Sequence, residues 1–231
     1  MKVNQVTETE RPRLSKAAVV ARGLALADAE GLESVTIRRL AAELGVTPMA
    51  LYWHFRNKDE LMVGLADAVW AELDVKVDPD ADWPDQLRFL LDSLVGVLRR
   101  HPAASQLLTG SEKRTSEAAM VAHETALEVL YRGGFDAEYA AVIVRHALFT
   151  GVTLVMSEPG FEPGMTESEI AEHLRQMRVR LALLPPDRFP RTVAAAGPIT
   201  ACDKPDFHYE VGIDIFVAGV QALSQRRTSG R

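Results

Sequence analysis

Apolar residues recur along this chain in steps of three and four, and strict alternation appears nowhere, so the pattern predicts helices throughout and no strands. Ser15 stands as an N-cap ahead of Val20, Leu24 and Ala27, which share one helical face up to a stop at Gly31. Thr36 caps a second, short helix whose stripe is Ile37, Leu40, Ala41 and Leu44. Gly45 follows where a left-handed residue would end that helix, and Val46 plugs the turn against the core. Thr47 and Pro48 restart the chain as N-cap and first helical residue, a place where proline's missing N–H does no harm. Leu51 and Phe55 are the buried pair of this third helix. Asn57 caps a fourth, with Glu60 at the capping-box position and Leu61, Leu65, Ala68 and Val69 facing inward as far as about Leu73.

Longer helices follow. Residues 78–85 form a polar loop that starts like a calcium-binding loop, but Trp83 stands where that motif needs glycine and Phe89 where it needs glutamate. Trp83 and Pro84 open a helix over Asp85–Arg100 that His101-Pro102 breaks. After a short segment with Leu107 and Leu108, and Gly110-Ser111, residues 112–132 have helical period, with Met120, Leu127 and Leu130 on one side. Gly133-Gly134 separates them from a helix over Asp136–Ser157, apolar on almost every face and so expected to be buried on several sides. Glu158-Pro159-Gly160 stops it. A capping box of Thr166 and Glu169 starts a charged helix to about Leu184. Residues 185–205 read as a Pro-rich loop, functional or mobile at that length. The last helix, Asp206–Gln225, carries Gly212 and Gly219 on one face beside Ile215, Phe216 and Val220. Paired glycines admit close backbone approach, and a subunit interface is the expected use.

The expected fold is all-α in two parts: a three-helix helix-turn-helix unit over 14–62 and a larger helical regulatory and dimerisation domain over 63–226. Composition narrows what such a fold is for. Charged residues make up 25% of the 231, which excludes a disordered chain. The single cysteine, Cys202, excludes an intramolecular disulfide framework and fits a reducing cytoplasm. The N-terminal residues lack the apolar stretch of a signal peptide. The apolar run within 137–156 is interrupted by Arg145 and His146 and is short for a membrane span, so no membrane partner is expected. Of the net charge of −6, residues 1–62 contribute nine basic against eight acidic side chains, or +1, and the remainder seventeen against twenty-four, or −7. The acidity therefore sits outside the helix-turn-helix and is compatible with salt-sensitive DNA binding. Phosphate-binding glycine loops, nucleophile elbows and metalloprotease motifs are all missing, which leaves no argument for an enzyme. The six histidines are scattered without ligand spacing, so no structural metal and no cofactor are expected.

A helix, a glycine turn and a two-turn helix suit insertion of the second helix into a major groove. Beyond its buried pair that helix displays Thr47, Pro48, Met49, Tyr52, Trp53 and His54. Three adjacent aromatic or imidazole side chains cannot all face inward, which weighs against a helical hairpin whose aromatics are core. Pro48 and Met49 suit thymine methyls, and Arg38 suits a guanine edge. Lys58, Tyr52 and His54 suit phosphates. Arg11 and Arg13 precede the first helix as a solvated tail or as an arm toward the minor groove.

The stretch TIRRLAAELGVTPMALYWHFRNKDELM (36–62) resembles, without a gap from about Ala18 to Leu65, the DNA-binding domain of TetR-type transcriptional regulators. The resemblance places Arg38, Pro48 and Met49 at base-contacting positions, and Thr36, Tyr52, Trp53, His54 and Lys58 at phosphate-contacting or groove-lining ones. More weakly, residues 80–225 resemble the regulatory domain of the tetracycline-repressor subgroup, through YEVGIDIFVAGV near the C-terminus and the landmarks before it. In that subgroup the eighth and tenth helices of two subunits form a four-helix interface, which implies 136–157 and 206–225 here. A histidine that helps hold drug-bound magnesium there is replaced by Leu108, which puts a metal–tetracycline effector in doubt.

An apolar helical interior suggests an effector pocket between helices, with Leu90, Leu94, Leu108 and Phe149 as walls and His123 and His146 as polar tips. The function expected is a ligand-responsive regulator, a repressor that binds a palindromic double-stranded operator as a homodimer and is released by a small-molecule effector. The alternative is a helical small-molecule-binding or scaffolding protein with little specific DNA binding.

Overall fold

The computed structural model of the chain describes residues 14–109, 116–158, 165–201 and 204–229, and every regular element among them is helical. Arg11, Arg13, Gly110, Ser111, Pro159, Gly160 and Cys202 lie outside the described residues.

Local chemistry sets the ends of the first four helices. The Ser15 hydroxyl accepts the Ala18 N–H at 3.1 Å to start α1, Lys16–Glu30, and Gly31 ends it at φ 84°. Thr36 starts α2, Ile37–Glu43, and Thr47 starts α3, Pro48–Tyr52, each hydroxyl accepting an N–H from the first turn. Gly45 stands between them at φ 65°, a conformation that a side chain would disfavour. Asn57 caps α4, Lys58–Ala71, through the Glu60 N–H at 2.8 Å, while the Glu60 carboxylate reaches back to the Arg56 N–H at 2.7 Å. Leu40, Leu51, Phe55, Leu61 and Leu65 close this bundle. Gly23 and Gly64 are small of necessity: a Cβ on either would sit 2.9 Å from Leu65 or the Phe55 ring.

α4 does not stop at residue 62. Its first half packs in the head and its second half, through Val69 and Trp70, enters one continuous core with the body. There α5, Trp83–Arg100, lies against α7, Glu117–Arg132, α8, Ala137–Met156, and α11, Pro205–Ser229. The short α6, Ser105–Leu108, contacts α4. α9, Glu167–Ala182, buries none of its residues and packs on α10, Pro190–Ile199.

Three expectations need correction. The 185–205 stretch is not a continuous loop, because α10 occupies half of it. Pro190 takes the first helical position, Ala194, Ala195 and Ala196 favour helix, and Pro198 falls in the last turn. Met120 is exposed on α7, where Ala119, Ala122, Val129 and Leu130 form the buried side. α8 buries Ala140, Ile143, Val144, Leu148, Val152 and Val155, yet its opposite face leaves Tyr139, Val142, Phe149 and Met156 exposed. At 20 residues α8 is also long and apolar enough to cross a membrane by length and composition alone, although its inner face is core.

Candidate DNA-reading head and effector cavity

The turn between α2 and α3 leaves a specific set of side chains outside the bundle. Arg38, Pro48, Met49, Tyr52, Trp53 and Lys58 are exposed, Met49 to 67% and Trp53 to 86% of their surface, and His54 is half-buried. Thr36 and Thr47 are exposed as well, but their hydroxyls are engaged as helix caps. An indole as exposed as Trp53 contributes nothing to packing, so a structural role does not account for it.

Neighbouring arginines are used differently. Arg39 bonds Glu43 at 2.7 Å and Glu30 at 2.9 Å, and Glu43 also holds Arg22 of α1 at 2.5 Å. The Arg39 hydrogen bond, with Arg22 adding to it, draws the Glu43 carboxyl below its ordinary range. This lattice orients α2 on α1. Arg38, one residue earlier, enters no ion pair among the described residues. Among the described residues Lys58 pairs only with Glu33, fully exposed and 4.0 Å away, a pair too loose to compete with a phosphate.

In the body, α4, α5, α7 and α8 enclose an apolar cavity of about 60 Å³. Of the expected lining residues, Leu90, Leu94 and His123 border it. Leu108 does not: it is fully buried elsewhere in the core. His146 and Phe149 do not either, because the cavity face of α8 is Val144, Ala147 and Leu148, and steps of about 100° per residue carry 146 and 149 outward. Trp70, Leu73 and Val75 were not anticipated as walls. The signal is in the sequence, since the apolar stripe of α4 continues through Val69 and Trp70, and Leu73 and Val75 follow just beyond it, past what the head requires.

Comparison with known proteins identifies this arrangement. The profile of "Bacterial regulatory proteins, tetR family" matches residues 19–65, and that of "Tetracyclin repressor-like, C-terminal domain" matches 77–224. The chain belongs to the tetR family. Among its relatives, the class A tetracycline repressor from transposon 1721 in Escherichia coli is 31% identical over 219 residues, 93% of each chain. The transcriptional repressor DrrR1 of Streptomyces coeruleorubidus is 30% identical over 94% of this chain and 81% of its own. Among solved structures, Streptomyces coelicolor ActR in complex with actinorhodin superposes with a TM-score of 0.75 at 29% identity, covering 91% of this chain and 98% of ActR. As a member of the tetR family the chain is a DNA-binding transcriptional regulator.

Where the head meets the body, a polar clasp joins α1, α4 and α5. His101, at the C-terminal cap of α5, sets Nδ1 2.7 Å from Asp28 on α1 and Nε2 3.1 Å from Glu72 at the end of α4. Arg100 holds the second Glu72 oxygen at 3.0 Å. Both ring nitrogens thus face side-chain carboxyl oxygens, one on each side of the imidazole. Burial pushes the Asp28 carboxyl up, opposed in part by its bond to His101. One cluster thus ties the first head helix to two helices that wall the cavity.

The strip expected on α11 divides between two environments. A Cβ on Gly212 would sit 2.2 Å from Leu154 of α8, and Val220 is buried, so both serve packing within the chain. Phe216 is half-buried. Ile215 and Gly219 face out, beside exposed Phe207 and Val211.

Proposed function

We propose that the protein is a homodimeric repressor that occupies a near-palindromic operator and leaves it when a small molecule enters the α4–α5–α7–α8 cavity. The carrying observation is the exposed set Arg38, Pro48, Met49, Tyr52 and Trp53 on a head whose packing does not need them. Nine residues take part in DNA binding: Arg38, Pro48 and Met49 at base edges; Thr36, Thr47, Tyr52, Trp53, His54 and Lys58 along the backbone and groove wall. The partner is a second copy, seated on the exposed apolar faces of α8 and α11, where Val142, Phe149, Met156, Val211 and Ile215 lie open. Two-fold pairing would set the spacing of the heads.

The cavity is smaller than the ~300–1,000 Å³ that buries a drug-sized ligand, so effector entry must part its helices. Because α4 is both a wall and the exit from the head, parting it favours a second head position, and an effector that prefers that state lowers DNA affinity. A domain division near residue 62 is then functional rather than a break in packing. ActR, solved with actinorhodin and with (S)-DNPA, supports a ligand-responsive reading.

Selection from a random duplex library, combined with sedimentation of the free protein and its complex, tests the proposal. A dimer enriching an inverted repeat is expected. A monomer, or a library with no enriched motif, would sink it and favour a ligand-binding or scaffolding role.

A further inference from the structure

The cavity walls are nearly all carbon. Leu73, Val75, Leu90, Leu94 and Leu148 are among them, no carboxylate, ammonium or guanidinium lines it among the described residues, and the polar side chains there are His123 and Trp70. Trp70 is 5% exposed, and its Nε1 is buried without a hydrogen-bond acceptor among the described residues. Buried indole N–H groups ordinarily find one. Here Trp70 borders free space on two sides: the cavity, and an outer crevice of about 540 Å³ along α4 and the start of α7. Asp67 and Glu117 line that crevice and make it unwelcoming to anions.

Resting on the effector role proposed above, we infer that the cavity takes an uncharged, mostly hydrocarbon molecule bearing a carbonyl or ether oxygen, and that this oxygen accepts the Trp70 Nε1–H. A charged ligand would shed its hydration among leucines with no counter-ion to meet it. An oxygen-free hydrocarbon would fill the space and leave the indole unsatisfied. Trp70 also gives the contact a direction, because it belongs to α4, whose Leu65 packs close against Gly23 of α1 in the head. A ligand held by this indole is held by the helix that carries the DNA-reading unit.

Three probes of similar size separate the possibilities in the full-length protein: 2-acetonaphthone, 2-ethylnaphthalene and 2-naphthoate. Binding is read by equilibrium dialysis and by the Trp70 indole N–H resonance, assigned by its loss in Trp70→Phe. The ketone should bind and move that resonance downfield, and the naphthoate should bind at least about tenfold more weakly. Trp70→Phe should weaken the ketone about five- to tenfold and the hydrocarbon less than about twofold. Equal losses for both neutral probes, naphthoate binding as well as the ketone, or no binding of either neutral probe would each overturn the inference. If Trp70→Phe does not fold, the wild-type resonance decides: a downfield shift with the ketone alone supports the pairing, and the same shift with the hydrocarbon refutes it. A ketone that binds as described and leaves the operator complex intact removes the effector role and keeps the ligand class.

Discussion

Head and body place their working residues on opposite sides of the packing. In the head, Arg38, Met49 and Trp53 stand outside a core of Leu40, Leu51 and Phe55 and can change without disturbing it. In the body, Leu94 and Trp70 are core residues that also line the cavity, so under the proposed effector role recognition and stability share the same atoms. The difference follows from the ligands. A duplex is too large to enclose and must be met on a surface, whereas a small apolar effector is bound by being buried.

The largest effect should come from the body. Leu94→Ala removes a nearly buried side chain beside Gly151 and should cost about 2–5 kcal/mol in chemical denaturation, while changing effector binding as well. A stability loss below about 1 kcal/mol would mean that the wall is not core. In the head, Arg38→Ala should weaken operator binding by about 1–3 kcal/mol and relax preference at one base pair, with the denaturation midpoint unchanged. A shifted midpoint would erase the contrast between the two regions. His101→Ala probes the seam, where the division should fail: about 1–2 kcal/mol of stability lost, because Asp28 keeps its burial and loses its partner, together with altered operator affinity. Normal operator affinity in a destabilised variant would reduce the clasp to a structural contact.

The smallest effect is one of sign. Asp28 is raised by burial, so its contribution is full below its unfolded value of 3.8 and is lost as pH rises through the higher folded value. Glu43 is lowered, chiefly by its Arg39 hydrogen bond, so its contribution is present above 4.5 and fades as pH falls through the lower folded value. Denaturation midpoints measured across the acid range should therefore diverge. The difference between wild type and Asp28→Asn should move toward wild type as pH falls, and that for Glu43→Gln should move away from it. Parallel trends would show that one of the two environments is misassigned.

What the sequence disclosed follows the reach of each interaction. Ser15, Thr36, Thr47, Asn57 and Thr166 each cap as their local pattern predicts, because a cap needs only the next three residues. The apolar character of α5 likewise points to Leu90 and Leu94 as walls, and both line the cavity. Periodicity could not say what covers a face, so the uniformly apolar α8 looked buried all round while one side stays open. Gly212 and Gly219 do share a helical face. Yet a Cβ on Gly212 would run into Leu154, whereas one on Gly219 would find nothing within 4 Å among the described residues. Crossing helices touch over a limited length, which no single-chain spacing records.

α3 is mounted on the molecule by one buried side chain, Leu51, within five residues, and by the turn and cap on either side. A part held at so few points leaves its remaining positions open to drift. If Pro48, Met49 and Tyr52 read DNA as proposed, copies of this gene can acquire new genomic addresses by exchanging them while melting temperature and effector response stay as they were. Among duplicated regulators of this architecture, target sites should diverge faster than the scaffold that carries them.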